Sequence, residues 1–147
     1  MIFEKVIPTT EQIETLYSQL GKRSQNISHK LMPSFKEHAT FVRNHPYREW
    51  MIIKFRKRAI GNAYIQFDNS IGLHLVSPED FEQFVEILNL IYRSYSPLPA
   101  KPSVRIGEFF LRVPSDNHKL QERLIGLGFH EVERTFVPKR EIQGLRN

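Results

Sequence analysis

The 147-residue sequence contains no cysteine. That absence excludes disulfides, thiolate nucleophiles and the common cysteine-based zinc sites together. No run approaches the roughly 18 consecutive apolar residues of a membrane-spanning helix, and Met1–Lys5 lacks the apolar stretch of a secretory leader. A soluble, cytoplasmic protein with no membrane association is therefore expected. Glycine is scarce, at seven residues, and none falls in a Gly-rich Lys-Ser phosphate loop, a dinucleotide fingerprint or a G-x-S-x-G elbow. Histidines and carboxylates at metal-ligand spacing are missing too, so no metal is expected.

What the sequence does contain is ordinary globular stock: 40% hydrophobic and 25% charged residues, with 11 Phe and 5 Tyr to fill a core. Its net charge is +5, from a cluster at Lys54, Arg56, Lys57 and Arg58 and from the segment after Lys139. A basic balance suits an anionic ligand; a solvated hairpin tip and a charged tail explain the same residues. Nucleic-acid binding calls for a basic face with interleaved aromatics. Only Phe55 accompanies the cluster, and nucleic acid is not expected as a partner.

No repeat or linker divides the chain, which reads as one domain over 1–138 with a charged tail over 139–147. Phe3–Ile7 reads as a strand. Thr9 and Gln12 then form a capping-box pair ahead of Ile13, Leu16, Tyr17 and Leu20, with Gly21 suited to a left-handed helix end. Ser34 and Glu37 open a second helix that should stop near Asn44, ahead of Pro46. From Trp50 the apolar period becomes two, giving strands Trp50–Phe55, Ala59–Phe67 and Ile71–Val76, with Asp68-Asn69-Ser70 as a turn.

A helix capped by Ser77, with Pro78 at its first position, carries Phe81, Phe84, Val85, Leu88, Ile91, Tyr92 and Tyr95 along one face. Ser94–Ser103, with three prolines, reads as a loop. A long fifth strand is expected over Val104–Val113. A fourth helix ending at Gly128 and a last strand over Phe129–Val137 complete the order β, α, α, β, β, β, α, β, α, β. The expected class is α/β with a mixed sheet and helices on both faces.

Two stretches resemble the Gcn5-related N-acetyltransferase superfamily. Asn117-His-Lys-Leu-Gln-Glu-Arg-Leu-Ile-Gly-Leu-Gly128-Phe129 is similar to its C-terminal motif, and Ser34-Phe-Lys-Glu-His38 followed by Trp50 and Ile60-Gly61-Asn62-Ala63-Tyr64-Ile65 is similar to sugar- and ribosomal-protein-modifying members. The resemblance spans about 115 residues in order and implies an acyl-coenzyme A N-acyltransferase fold. It also implies acetyl-coenzyme A as co-substrate and an amine acceptor that is a small molecule, an amino sugar or a peptide. A homodimer is an open partner. Two positions depart from the pattern. Val76-Ser77-Pro78-Glu79-Asp80-Phe81-Glu82 replaces the glycine-rich loop that cradles the diphosphate of coenzyme A, and Leu124 stands where many members carry a proton-donating Tyr.

By the same resemblance, backbone groups of Leu73, His74 and Leu75 would meet the thioester, and Gly72 would permit a close approach. His74 alternates with Ile71, Leu73 and Leu75, so it is a candidate general base or a satisfied histidine under a helix. Glu108 is a candidate base or an outward-facing strand residue. Asn117 would hydrogen-bond the pantetheine arm, or cap a helix. Tyr64 and Trp50 read as core or rim, and His29 and His38 fall in the helical region that contacts acceptors in this fold. Two functions follow: coenzyme-A-dependent N-acetyl transfer, or a domain of the same fold that acts as a binding module.

Overall fold

The computed structural model describes residues 1–23 and 31–139. The chain forms two compact units, Met1–Pro114 and Ser115–Asn147. The expected tail lies outside the described residues except for Lys139, and His29 lies outside them as well.

The first unit is built on a five-stranded sheet in sequential order: β1 (Ile2–Lys5), β2 (Glu49–Phe55), β3 (Arg58–Ile65), β4 (Ser70–Leu75) and β5 (Phe110–Leu111). The first three pairings are antiparallel and β4–β5 is parallel. Helices α1 (Thr10–Gly21) and α2 (Phe35–Arg43) lie between β1 and β2, and α3 (Phe81–Ser94) between β4 and β5. Both early caps form as their residues dictate. Thr9 accepts from the Gln12 amide, and Ser34 and Glu37 close a reciprocal capping box. Gly21 stays helical, and Lys22, not glycine, caps α1 in a right-handed conformation.

Strand alternation divides the core in two. Trp50 and Ile52 share one face and pack with Val6, Ile13, Leu16, Ala39 and Val42, which places α1 and α2 over that face. Met51, Ile53, Ala63, Ile65 and Ile71 point the other way and are also buried. Helix α3 buries Phe84, Ile87, Leu88 and Ile91 along its apolar face. Each fully buried aliphatic or aromatic side chain contributes about 1.5–3 kcal/mol, so both sheet faces are strongly specified.

Two expectations need correction in this unit. Asp80, rather than Ser77, caps α3, accepting from the Gln83 amide; Ser77–Glu79 form a turn before it. The long fifth strand is only Phe110–Leu111, and it lies at the sheet edge. Residues 104–109 are instead part of a loop tied down by Asn69. That residue is fully buried at φ 74°; its amide donates to the Leu98 and Ile106 carbonyls at 2.9 and 2.7 Å and accepts from the Leu98 N–H at 2.7 Å. A loop held by side-chain bonds leaves no hydrophobic alternation to read as its signature.

The second unit carries α4 (His118–Gly126), capped by Asn117, whose side chain accepts from the Leu120 amide. Gly128, at φ 95°, ends it in a Schellman motif: the Gly128 and Phe129 amides donate back to Ile125 and Leu124. The strand expected over Phe129–Val137 is not formed; residues 129–139 have no regular structure, and Val132, Phe136 and Val137 are exposed.

Candidate functional site

The α1-side face of the sheet carries polar groups at its centre. Register pairs Ile52 with Asn62 and Asn62 with His74, and pairs Trp50 with Tyr64 and Tyr64 with Gly72, so these residues share one face. The Trp50 indole N–H donates to Asn62 Oδ1 at 3.1 Å. Asn62 Nδ2 donates to Gln19 Oε1 at 2.8 Å, and Gln19 Nε2 donates to the Gly61 carbonyl at 3.3 Å. All three side chains are buried and each finds partners, so the chain rigidifies the floor of the face instead of destabilising it.

Beside that floor stands an aromatic wall. Tyr47 and Tyr64 stack with ring centroids 4.0 Å apart and planes 6° from parallel. The Tyr64 ring occupies the space over Gly72, where an added Cβ would fall 2.1 Å from Tyr64 Cζ. The close approach expected at Gly72 is therefore made by a cross-strand ring. Burial first, and the neighbouring Tyr64 next, push the Tyr47 hydroxyl pKa up.

Arg23, just past the end of α1, brings the only charge that acts on all of these groups among the described residues. Its guanidinium interacts electrostatically with Tyr47, Tyr64 and His74. Burial lowers the Arg23 pKa, and its Nε is buried with no hydrogen-bond partner. The His74 residue is partly exposed, but its Nε2 is buried and also lacks a partner. Burial, reinforced by the Arg23 charge, lowers the His74 pKa to about 3. The imidazole is neutral at ordinary pH; it can accept a proton, but its conjugate acid is too strong for an efficient base.

Next to this wall the sheet opens. Strand β5 pairs only with Ser70 and Ile71, whereas β3 continues along β4 to Leu75. Among the described residues, Gly72–Leu75 therefore has a strand neighbour on one side only, and its other row of backbone N–H and C=O groups has no strand partner there. Val76, at the end of β4, also borders an open groove of about 390 Å³ lined by Gln19, Lys22 and Arg58.

Leu73, His74 and Leu75, expected to meet a thioester, all lie on this one-sided segment. Glu108 is exposed in the loop before β5 and raises the pKa of Tyr92, secondary to that phenol's burial. Asn117 caps α4 in the second unit, where Leu124 is buried. His38 is buried on α2 with burial depressing its pKa, and its ring lies 5.3 Å from Tyr17. Sequence reasoning missed Arg23, which carries no motif and stands two residues past the end of α1.

No protein-family profile matches the sequence, and comparison with curated proteins finds no match. Solved structures do match. A possible acetyltransferase from Clostridium difficile 630 aligns with a TM-score of 0.58 at 9% identity over 97% of this chain and 98% of that one. AAC(6')-Iy, solved in complex with the bisubstrate analog CoA-S-monomethyl-acetylneamine, aligns with a TM-score of 0.56 at 11% identity over 96% and 98%. At such identities the likeness establishes the fold. It is a mixed α/β fold shared with these two acetyltransferase structures.

Proposed function

We propose that this chain is a coenzyme-A-thioester-dependent N-acyltransferase acting on a primary amine of a small molecule, an amino sugar or a peptide. The observation that carries the reading is the one-sided β4 segment, Gly72–Leu75, within a fold shared with a protein solved around a coenzyme A bisubstrate analog. An extended pantetheine arm is a chain of amides, and an unpaired strand edge is its natural partner.

The residues fit the thioester end and not the diphosphate end. At the start of α3, Asp80 takes the Gln83 amide and the Glu79 carbonyl takes the Phe81 amide. Glu79, Asp80 and Glu82 are exposed around these groups. Two donors a diphosphate would use, the Phe81 and Gln83 amides, are taken, and three carboxylates oppose a polyanion. We therefore route no step through the diphosphate.

When bound, the thioester supplies an activated acyl carbon. Backbone N–H groups along Gly72–Leu75 would polarise its carbonyl oxygen. The acceptor amine would approach from the α1 side, beside Tyr64 and His74. His74, being neutral, adds no second charge there, and the Arg23 cation favours the free-base form of an approaching amine. As the C–N bond forms and the C–S bond breaks, the nitrogen would give one proton to solvent and the departing thiolate would take one from it.

A second reading keeps the fold and drops the chemistry: a binding module, favoured by the self-capped, acidic start of α3. Calorimetry at low salt with acetyl-coenzyme A and free coenzyme A separates the two. Micromolar binding supports acyl transfer, and no heat at millimolar ligand retires it.

A further inference from the structure

Buried donors and acceptors are nearly always paired, and an orphan costs about 1–3 kcal/mol. Here two orphans from different elements act on the same spot. Arg23 Nε follows α1, and His74 Nε2 stands on β4. The Arg23 charge reaches His74 and both hydroxyls of the Tyr47–Tyr64 stack. Nothing among the described residues ion-pairs with Arg23; the four ion pairs there involve Lys5, Lys54, Arg112 and Arg134. A half-buried cation with a free Nε–H, acting on two stacked tyrosines and on a histidine whose ring lies 5.8 Å from Tyr64, is incomplete without an anion.

We infer that Arg23, with His74 and the Tyr47–Tyr64 wall, is a carboxylate-binding subsite, and that the acceptor is an amino acid or a similar molecule carrying both an amine and a carboxylate. A carboxylate is planar and accepts from a guanidinium edge. One oxygen takes the Arg23 Nε–H, and the other is within the field of a neutral imidazole that donates from Nε2 in one tautomer. The amine half of the inference rests on the acyl-transfer reading, whereas the carboxylate half stands on the orphaned pair itself.

The test is binding, followed through the His74 ring resonances by NMR. Glycine, L-leucine and L-phenylalanine are each compared with their own amides, which keep the amine and lose the carboxylate. At least one amino acid should move the His74 signals and bind about tenfold tighter than its amide, or ~1.4 kcal/mol. Neutralising Arg23 with a bound anion should also raise the His74 pKa. Arg23→Gln should erase the preference, and Arg23→Lys should restore part of it; circular dichroism confirms that each variant is folded.

Equal binding of acids and amides, a preference that survives Arg23→Gln, or no shift of His74 at millimolar amino acid would each overturn the inference. The acetyl-coenzyme A titration is read separately. Thioester binding without carboxylate preference sinks this inference alone. Carboxylate binding without thioester binding retires acyl transfer and leaves the subsite in place.

Discussion

Replacing Asn69 with glycine should be among the most destabilising single changes outside the apolar core. Its side chain is fully buried and makes three hydrogen bonds of 2.7–2.9 Å to Leu98 and Ile106. Its own carbonyl also accepts from Phe110, which begins β5. Glycine tolerates φ 74° and so isolates the lost bonds. At about 1 kcal/mol net per bond, the loss is ~3 kcal/mol. A chain of this size loses roughly 3–4 °C per kcal/mol, so the melting temperature should fall by roughly 10 °C. Asn69→Ala loses the same bonds and adds a left-handed penalty of up to ~1–2 kcal/mol. Urea denaturation of both variants gives the two numbers, and amide exchange at Phe110 and Leu111 should quicken. A loss under ~1 kcal/mol for the glycine variant would show that water replaces the bonds and that Asn69 does not hold β5 in place.

Four further outcomes are expected. Gly72→Ala should drive the Tyr64 ring off β4, because the new methyl would sit 2.1 Å from Cζ; fluorescence and NMR should report a disrupted Tyr47–Tyr64 stack and a loss of ~1–3 kcal/mol. The combined change Glu79→Gln, Asp80→Asn, Glu82→Gln keeps a capping side chain at 80 and removes three charges, so calorimetry should find coenzyme A binding at least about tenfold tighter. Unchanged binding would mean the acids do not repel it. Because the folded His74 pKa lies near 3, below the ordinary imidazole value of 6.5, the unfolded chain binds the extra proton between those values. Stability is then full above pH 6.5 and declines toward pH 3, with a slope of up to about 1.4 kcal/mol per pH unit; His74→Gln should flatten that limb. Finally, Arg56 and Lys57 turn the β2–β3 hairpin at φ 48° and 65°. Lys57→Gly should raise stability by up to ~1 kcal/mol, and a decrease would mean the turn is not strained.

The features legible from sequence were those written in local chemistry. Thr9, the Ser34–Glu37 pair and Asn117 declared helix starts, and the alternation from Trp50 declared three strands, because caps and periodicity act over a few residues. The helix start placed at Ser77 missed by three positions, since Asp80 offers the same capping oxygen nearer the apolar run. The fifth strand failed for a different reason. Phe109, Phe110 and Leu111 look like the middle of a strand, but the loop before them is held at Ile106 by Asn69, 37 residues away, and a long-range side-chain clamp has no periodic signature.

The candidate site divides along the same line. Leu73–Leu75 could be placed on a strand by alternation, and Gly72 could be marked as a close-approach position, although the approaching group, Tyr64, lies on another strand. Arg23 could not be found this way. An arginine after a helix reads as a solvated end charge, and only the folded sheet brings His74 and two tyrosines around it. Burying a cation without a counter-charge lowers stability, and no local rule of the chain requires it. Apolar side chains at Arg23 and His74 would pack against Tyr64 at lower cost. Two unpaired polar atoms kept at one spot are thus best explained by a ligand that pairs them, which is why this corner, rather than the exposed acids at the start of α3, is where the chemistry should be sought.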